Sequence, residues 1–181
     1  MRRPHLNDEG LCGGCAGSRP FKRTGSVNKL ANSWQGRPLL DHLLRTIAEA
    51  DFADCIVVTG AAYRSDIFGL LARAPHAREA FNQDADQGMG TSIAVGIAAI
   101  AGAPLGAFIC LGDMPLVTTS DFGNLAAALT REVTVVRPTY NGLPGHPVLF
   151  GRRHFGQLAR LEGDTGASSI IANLPEGLCW R

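Results

Sequence analysis

An α/β fold built on a largely parallel sheet is what this sequence predicts, and two observations carry the prediction. Short apolar runs, Cys55-Ile-Val-Val-Thr59 and Ala107-Phe-Ile-Cys-Leu111, have the length and continuity of strands buried on both faces. Between such runs lie longer segments with apolar residues at helical spacing, so strands and helices alternate along the chain. At 181 residues the chain suits one domain, 1–181, and no repeat or linker divides it.

Composition narrows the partners. Seventeen Lys+Arg against sixteen Asp+Glu leaves a net charge of +1, so nothing draws the whole molecule to nucleic acid or an anionic membrane. An anionic ligand therefore needs a local site. No apolar run approaches the length of a membrane span, and the basic start lacks the apolar core of a secretory signal. The expected setting is the reducing cytoplasm. Of the five cysteines, Cys55 and Cys110 lie inside apolar runs, where thiols behave as small hydrophobes. Cys12-Gly-Gly-Cys15 has neither a second such pair nor a spaced His pair to complete a zinc site.

Taken in order, residues 1–10 are polar and give no pattern, and residues 1–20 as a whole are expected to be irregular. Residues 11–29 hold four glycines together with Arg19, Lys22, Arg23 and Lys29. That composition predicts a loop, suited either to cradling an anion with backbone N–H groups or to serving as a basic linker. Pro38 to Ala50 predicts a helix, with Leu39, Leu40, Leu43, Leu44 and Ile47 on one stripe. The strand Cys55–Thr59 follows, then a helix from Ser65, its expected cap, to about Ala74. A polar loop from Phe81 closes in Gly88 and Gly90 and opens a helix at Thr91 or Ser92. Small residues at Ala94, Gly96, Ala98 and Ala99 would let that helix lie close to the sheet.

The next segment, Ala107 to Leu116, is the pivot. Its apolar half ends abruptly at Gly112-Asp113, and Pro115 stops the strand. A lone carboxylate is costly to bury, so Asp113 should stand at the strand's carboxyl end, where open α/β sheets bind ligands. There it can hold Mg²⁺, which takes one or two carboxylates plus substrate phosphates, or it can simply turn the chain. A helix capped by Ser120 runs to about Leu129, and Val133–Pro138 reads as a strand. Tyr140 to Pro147 is dense in turn formers, with His146 held between Gly145 and Pro147. Val148–Phe150 reads as a strand at an edge because of Pro147. Helices follow over Arg152–Leu161 and Ala167–Ala172, the latter capped by Asp164.

Several of these loops together resemble one family. Asn82-Gln-Asp-Ala-Asp-Gln-Gly-Met-Gly-Thr-Ser92, Leu111-Gly-Asp-Met-Pro-Leu-Val117, Pro138-Thr-Tyr-Asn-Gly through Gly145-His-Pro-Val-Leu-Phe150 and Gly163-Asp-Thr-Gly-Ala167 are similar, in order and spacing, to segments of the molybdenum cofactor cytidylyltransferases and other MobA-like nucleotidyltransferases. The resemblance runs from about Asn28 to Ile171. It implies a Rossmann-like three-layer α/β/α nucleotidyltransferase fold and transfer of CMP or GMP from CTP or GTP to molybdopterin, with a molybdoenzyme receiving the product. By the same resemblance Asp113 would bind Mg²⁺, and Lys29 and Arg19 would neutralise phosphates. Gly13, Gly14, Lys29, Asn82, Gly88, Ser92 and Asp113 would hold the nucleotide, and His146 and Asn141 the pterin. Gly-Met-Gly-Thr-Ser and Gly-Asp-Met-Pro are nearer the cytidylyl branch, Gly13-Gly14 nearer the guanylyl one.

The chain also departs from that family. Relatives begin with a hydrophobic strand running into their glycine loop, whereas polar residues precede Leu11 here. Relatives also carry a later acidic segment resembling Asp-Ile-Asp-Thr-Pro that can join the metal site, and the sequence reaches Arg181 without it. Two alternatives follow. One is an impaired family member that binds and delivers the cofactor, and the other is a sugar-nucleotide pyrophosphorylase of the same fold.

Overall fold

The computed structural model describes residues 11–16, 29–175 and 179–180, with side chains from residue 30 to 175. The predicted loop at residues 11–16 is in fact strand β1 (Leu11–Ala16). Helix α1 (Leu39–Glu49) leads to β2 (Asp54–Thr59), and α2 (Arg64–Leu71) to β3 (Arg78–Phe81). Helix α3 (Met89–Ala98) then returns the chain to β4 (Gly106–Leu111). After α4 (Thr119–Ala128) come β5 (Val135–Val136), β6 (Val148–Gly151), the short helices α5 (Phe155–Leu158) and α6 (Ser168–Ala172), and β7 (Cys179–Trp180). A two-residue-strand hairpin, Thr139–Tyr140 with Leu143–Pro144, projects between β5 and β6.

The seven strands form one sheet in the order β7-β5-β6-β4-β1-β2-β3. Every pairing is parallel except the two made by β6. Alternation along the strands divides the interior between two faces. Cys55, Val57, Phe108 and Cys110 pack with α1, α2 and α4, while Ile56, Val58, Ala107 and Ile109 pack with α3 and Leu158 of α5. For α1, α2 and α3 that distribution follows from handedness. Strands β1, β2 and β3 step outward, so right-handed crossovers put α1 and α2 on one face. The chain then returns to lay β4 beside β1, and the reversed step puts α3 on the other. The strand order therefore changes direction between β1 and β4, which makes the carboxyl edge there the expected ligand crevice.

Several elements differ from the sequence expectation. Leu11-Cys-Gly-Gly-Cys-Ala16 reads as loop from its glycines, yet it is the central strand, with Gly13 opposite Cys55 and Phe108 and Gly14 opposite Ile56 and Ile109. The first strand whose absence the sequence suggests is therefore present, and small residues there suit a strand over which α3 packs closely. The expected tightness of α3 is borne out at Gly96, where an added Cβ would lie 3.1 Å from Val58 Cγ2. Strand Val148–Gly151 is not at an edge. It pairs with β4 on one side and β5 on the other, because Pro147 precedes the ladder and deprives it of no donor.

Neither Ser65, Ser120 nor Asp164 caps a helix. Thr118 caps α4 in a reciprocal box with Asp121, and α2 and α6 have no side-chain cap bond. The expected strand Val133–Pro138 shrinks to Val135–Val136. The helix expected over Arg152–Leu161 contains a 3₁₀ turn, Arg152–His154, before α5. In that turn buried His154 has its Nε2 2.9 Å from Thr134 Oγ1. Burial pushes its imidazole below the ordinary histidine range.

A depressed histidine takes its proton in the unfolded chain first, so the stability it contributes is complete above about pH 6.5 and is lost as the pH falls toward the folded value. Melting temperature should accordingly drop between pH 7.5 and 5.5. In His154→Gln that slope should be shallower but not flat, because burial lowers His146 in the same direction. An unchanged slope in thermal melts would remove His154 from the acid response.

Candidate active site

Among the described residues, the loops after β2, β3, β4 and β5 leave the sheet at its carboxyl edge, and their residues come largely from polar positions next to apolar strands. Asp113 follows β4 by two residues. It is exposed and, among the described residues, makes no hydrogen bond or ion pair. Gly112 beside it must be small: a Cβ there would meet Leu30 Cδ2 at 2.9 Å. Buried Leu30 thus runs the segment containing Lys29 alongside Gly112. The backbone of Lys29 lies in a 3₁₀ turn, Lys29–Ala31, on the same side of the sheet as the loop of Asp113. Arg19, the other phosphate-neutralising candidate, lies outside the described residues.

His146 reaches the same edge from the opposite direction. Strand β6 is antiparallel to β4, with Val148 opposite Ile109, so continuing the register sets His146 abreast of Leu111. The ring is half-buried. Burial, then the neighbouring Arg137 charge, lowers its pKa, and Asp113 partly offsets them. Asp113 and His146 open into one cavity of about 890 Å³, whose wall includes Met114, Pro115, Asn124 and Pro147. Its rim is apolar and open to water, with Leu116 74% and Tyr140 79% exposed, and Leu143 beside Tyr140 on the hairpin 70% exposed. Asp121 also lines the cavity, but its carboxylate is occupied by the Thr118 backbone N–H and hydroxyl.

The remaining candidates are arranged differently. Gly13 and Gly14 lie within β1, where the ladder on both sides engages the backbone, so they form no anion-cradling loop. Any such loop starts beyond Ala16, outside the described residues. Asn82 follows β3 and is 2% exposed. Its Nδ2 donates to Thr91 Oγ1 (2.9 Å) and Ser92 Oγ (3.1 Å), and its Oδ1 accepts from Asp84 N. Both amide hydrogens are thereby used in tying β3 to the start of α3. Ser92 is buried beside it. Gly88 precedes α3 at φ +135° and packs on Gly163, and Gly90 N donates to Gly163 O. Asn82, Gly88 and Ser92 thus shape one interlocked loop pair and do not line the cavity shared by Asp113 and His146.

Asn141 also stands apart, at the exposed hairpin tip. Asn141 and Gly142 have φ of +50° and +76°, so this pair serves a tight turn that Asn and Gly favour. One residue escaped the sequence reading. Arg137 ends the β5 run as Asp113 ends that of β4, and a charge closing an apolar run was the available signal.

The donor set suits a divalent cation shared with a ligand rather than a closed protein cage. No group of three or more His, Cys, Asp or Glu able to hold a metal occurs among the described residues. Among the described residues that line the cavity, Asp113 is the carboxylate without a partner, which matches the way Mg²⁺ binds through one or two carboxylates and substrate phosphates. No described helix is long and apolar enough to cross a membrane.

A largely parallel α/β sheet whose strand order reverses beside an acid with no partner among the described residues places a ligand crevice at that edge. Residues 11–177 match the MobA-like NTP transferase domain, and the chain belongs to that family. It is 31% identical over 147 residues to the bifunctional protein GlmU of Streptomyces coelicolor, covering 79% of this chain but only 28% of that protein.

Among solved structures, Rv0371c of Mycobacterium tuberculosis H37Rv superposes with a TM-score of 0.80 at 22% identity, covering 95% of this chain and 86% of that one. A complex of Rv0371c with manganese gives 0.75 at 21% identity over 94% and 86% of the two chains. A nucleotidyl transferase from Methanothermobacter thermautotroptrophicus gives 0.71 at 20% identity, over 87% and 78%. At these identities the superpositions speak for the fold.

Proposed function

We propose that the protein, acting as one domain, transfers CMP or GMP from CTP or GTP to molybdopterin in a Mg²⁺-dependent reaction that releases pyrophosphate. The observation that carries this reading is the carboxylate of Asp113, which has no partner among the described residues and faces, together with His146, a cavity with an apolar rim. Displacement at phosphorus asks for positioning and charge stabilisation rather than a covalent nucleophile. When bound, Mg²⁺ would supply charge neutralisation between triphosphate and acceptor, held by Asp113. The manganese complex of a neighbour with the same fold is compatible with such a site. Tyr140, Leu116 and Met114 offer apolar surface to a flat ring, as a pterin requires. Lys29, carried beside Gly112, and Arg19 would meet the phosphates.

The strand β1 removes the chief motive for an impaired delivery module, since the support beneath a triphosphate loop is there. A fold of this kind does not by itself select the acceptor, and the second reading is a sugar phosphate in that place. Incubation with labelled CTP or GTP, Mg²⁺ and molybdopterin, with sugar 1-phosphates run in parallel, separates the two. Pyrophosphate release dependent on molybdopterin is the expected result. Release with a sugar phosphate alone would move the assignment, and no release with any combination would overturn it.

A further inference from the structure

Arg137 closes β5, and nothing in the nucleotide site described above uses it. Its Nε is sealed from solvent and has no hydrogen-bond partner among the described residues. Among the described residues Arg137 makes no ion pair, in contrast to Arg37, Arg45, Arg64 and Arg78. The side chain is half-buried, and the sealed Nε is one edge of a permanently charged fork of donors, a shape that matches an oxyanion. Buried donors left unmet in a native fold call for an explanation, and a ligand group is one.

The register says where that anion sits. Val136 pairs with Leu149, so the next rung sets Arg137 abreast of Val148, which itself lies opposite Ile109 of β4. Arg137 is thus two strand spacings, roughly 10 Å, across the carboxyl edge from β4. Pro138, the next residue, lines the cavity together with Asp113 and His146, so Arg137 stands at its margin, and His146 lies close enough to feel the charges of both Arg137 and Asp113. The loop of Asn82, Gly88 and Ser92 lies on the other side, toward β3 and the start of α3.

We propose that Arg137 binds the phosphate group of the acceptor substrate, an assignment that rests on the transferase reading above. Its fork of N–H donors holds the acceptor phosphate so that one phosphate oxygen faces the α-phosphorus of the nucleotide. That oxygen forms the new P–O bond, the bond to the β-phosphate breaks, and pyrophosphate leaves with the electron pair. The attacking phosphate is a dianion, so Arg137 neither gives nor takes a proton. It is a substrate-binding residue for the acceptor and leaves the nucleoside to the opposite side of the crevice.

The test uses inorganic phosphate as a probe of the acceptor site and CTP as a probe of the nucleotide site, each titrated calorimetrically without metal. In Arg137→Met, phosphate affinity should fall about 10- to 100-fold, the scale of lost charge-assisted hydrogen bonds, while CTP affinity stays within about twofold. Arg137→Lys should restore part of the phosphate affinity. In turnover, Arg137→Met should raise the KM for molybdopterin by a similar factor and leave the KM for CTP unchanged. Its melting temperature should hold or rise slightly, because the substitution removes a sealed donor that has no partner. Should Arg137→Met not fold, the phosphate titration of Arg137→Lys decides alone.

Absence of phosphate binding by the wild-type protein, wild-type phosphate affinity in Arg137→Met, or a loss confined to CTP would each overturn the assignment. If the wild-type protein turns over no nucleotide yet loses phosphate binding in Arg137→Met, the transferase reading falls and the anion site stands.

Discussion

Asp113→Ala is expected to lower pyrophosphate release by about 10²- to 10⁴-fold, the rate equivalent of several kcal/mol of lost charge stabilisation at phosphorus. Its melting temperature should barely move. The side chain is exposed and has no partner among the described residues, so removing it costs the fold within about 0.5 kcal/mol. That pairing of a large kinetic loss with an unchanged melt distinguishes a ligand-facing acid from one that turns the chain. Asp113→Asn keeps the shape and removes the charge, so it should share the kinetic loss and require more Mg²⁺ for half-maximal rate. Full activity in either variant would eliminate the carboxylate as the metal's anchor.

Gly88→Ala should have the largest effect on stability. At φ +135° and ψ 177° the residue occupies a backbone region open essentially to glycine alone. An added Cβ would also lie 2.4 Å from Gly163 C and 2.5 Å from Asp164 N, main-chain atoms that cannot swing aside. The two loops would have to part, taking with them the Gly90 N–H bond to Gly163 O and the seat of Asn82. Strain and overpacking together predict a cost of about 2–4 kcal/mol. For a chain of this size that is a fall in melting temperature of roughly 5–15 °C.

Gly69 is the control. It lies inside α2 with nothing near its missing Cβ, so Gly69→Ala should raise stability by about 0.5–1 kcal/mol. A Gly88→Ala protein that melts like the wild type would contradict the interlocked loops. If it melts low yet binds CTP at full strength once folded, the loop pair is structural and the nucleoside binds elsewhere.

Both variants probe positions that stand out in the sequence for different reasons. Asp113 is conspicuous because a charge ends an apolar run, and a strand buried on both faces tolerates no charge before its end. Gly88 is conspicuous only as one of two glycines before a helix. Its contact with Gly163 joins segments far apart in the chain, which no local pattern records.

The same division runs through the whole protein. Apolar periodicity alone determined the alternating α/β order, the two-faced burial of β2 and β4, and Asp113 at a strand end, because those features follow from the pleat and the helical repeat within short windows. Only the tertiary structure decided that Leu11–Ala16 is the central strand. Its glycines and small residues carry no strand propensity of their own, and their place comes from the neighbours β2 and β4 on either side. It likewise decided that Val148–Gly151 runs antiparallel in the interior, bringing His146 and Arg137 to the edge where Asp113 waits. Residues that meet through strand pairing leave no spacing signal, since their separation along the chain is set by topology rather than by any local repeat.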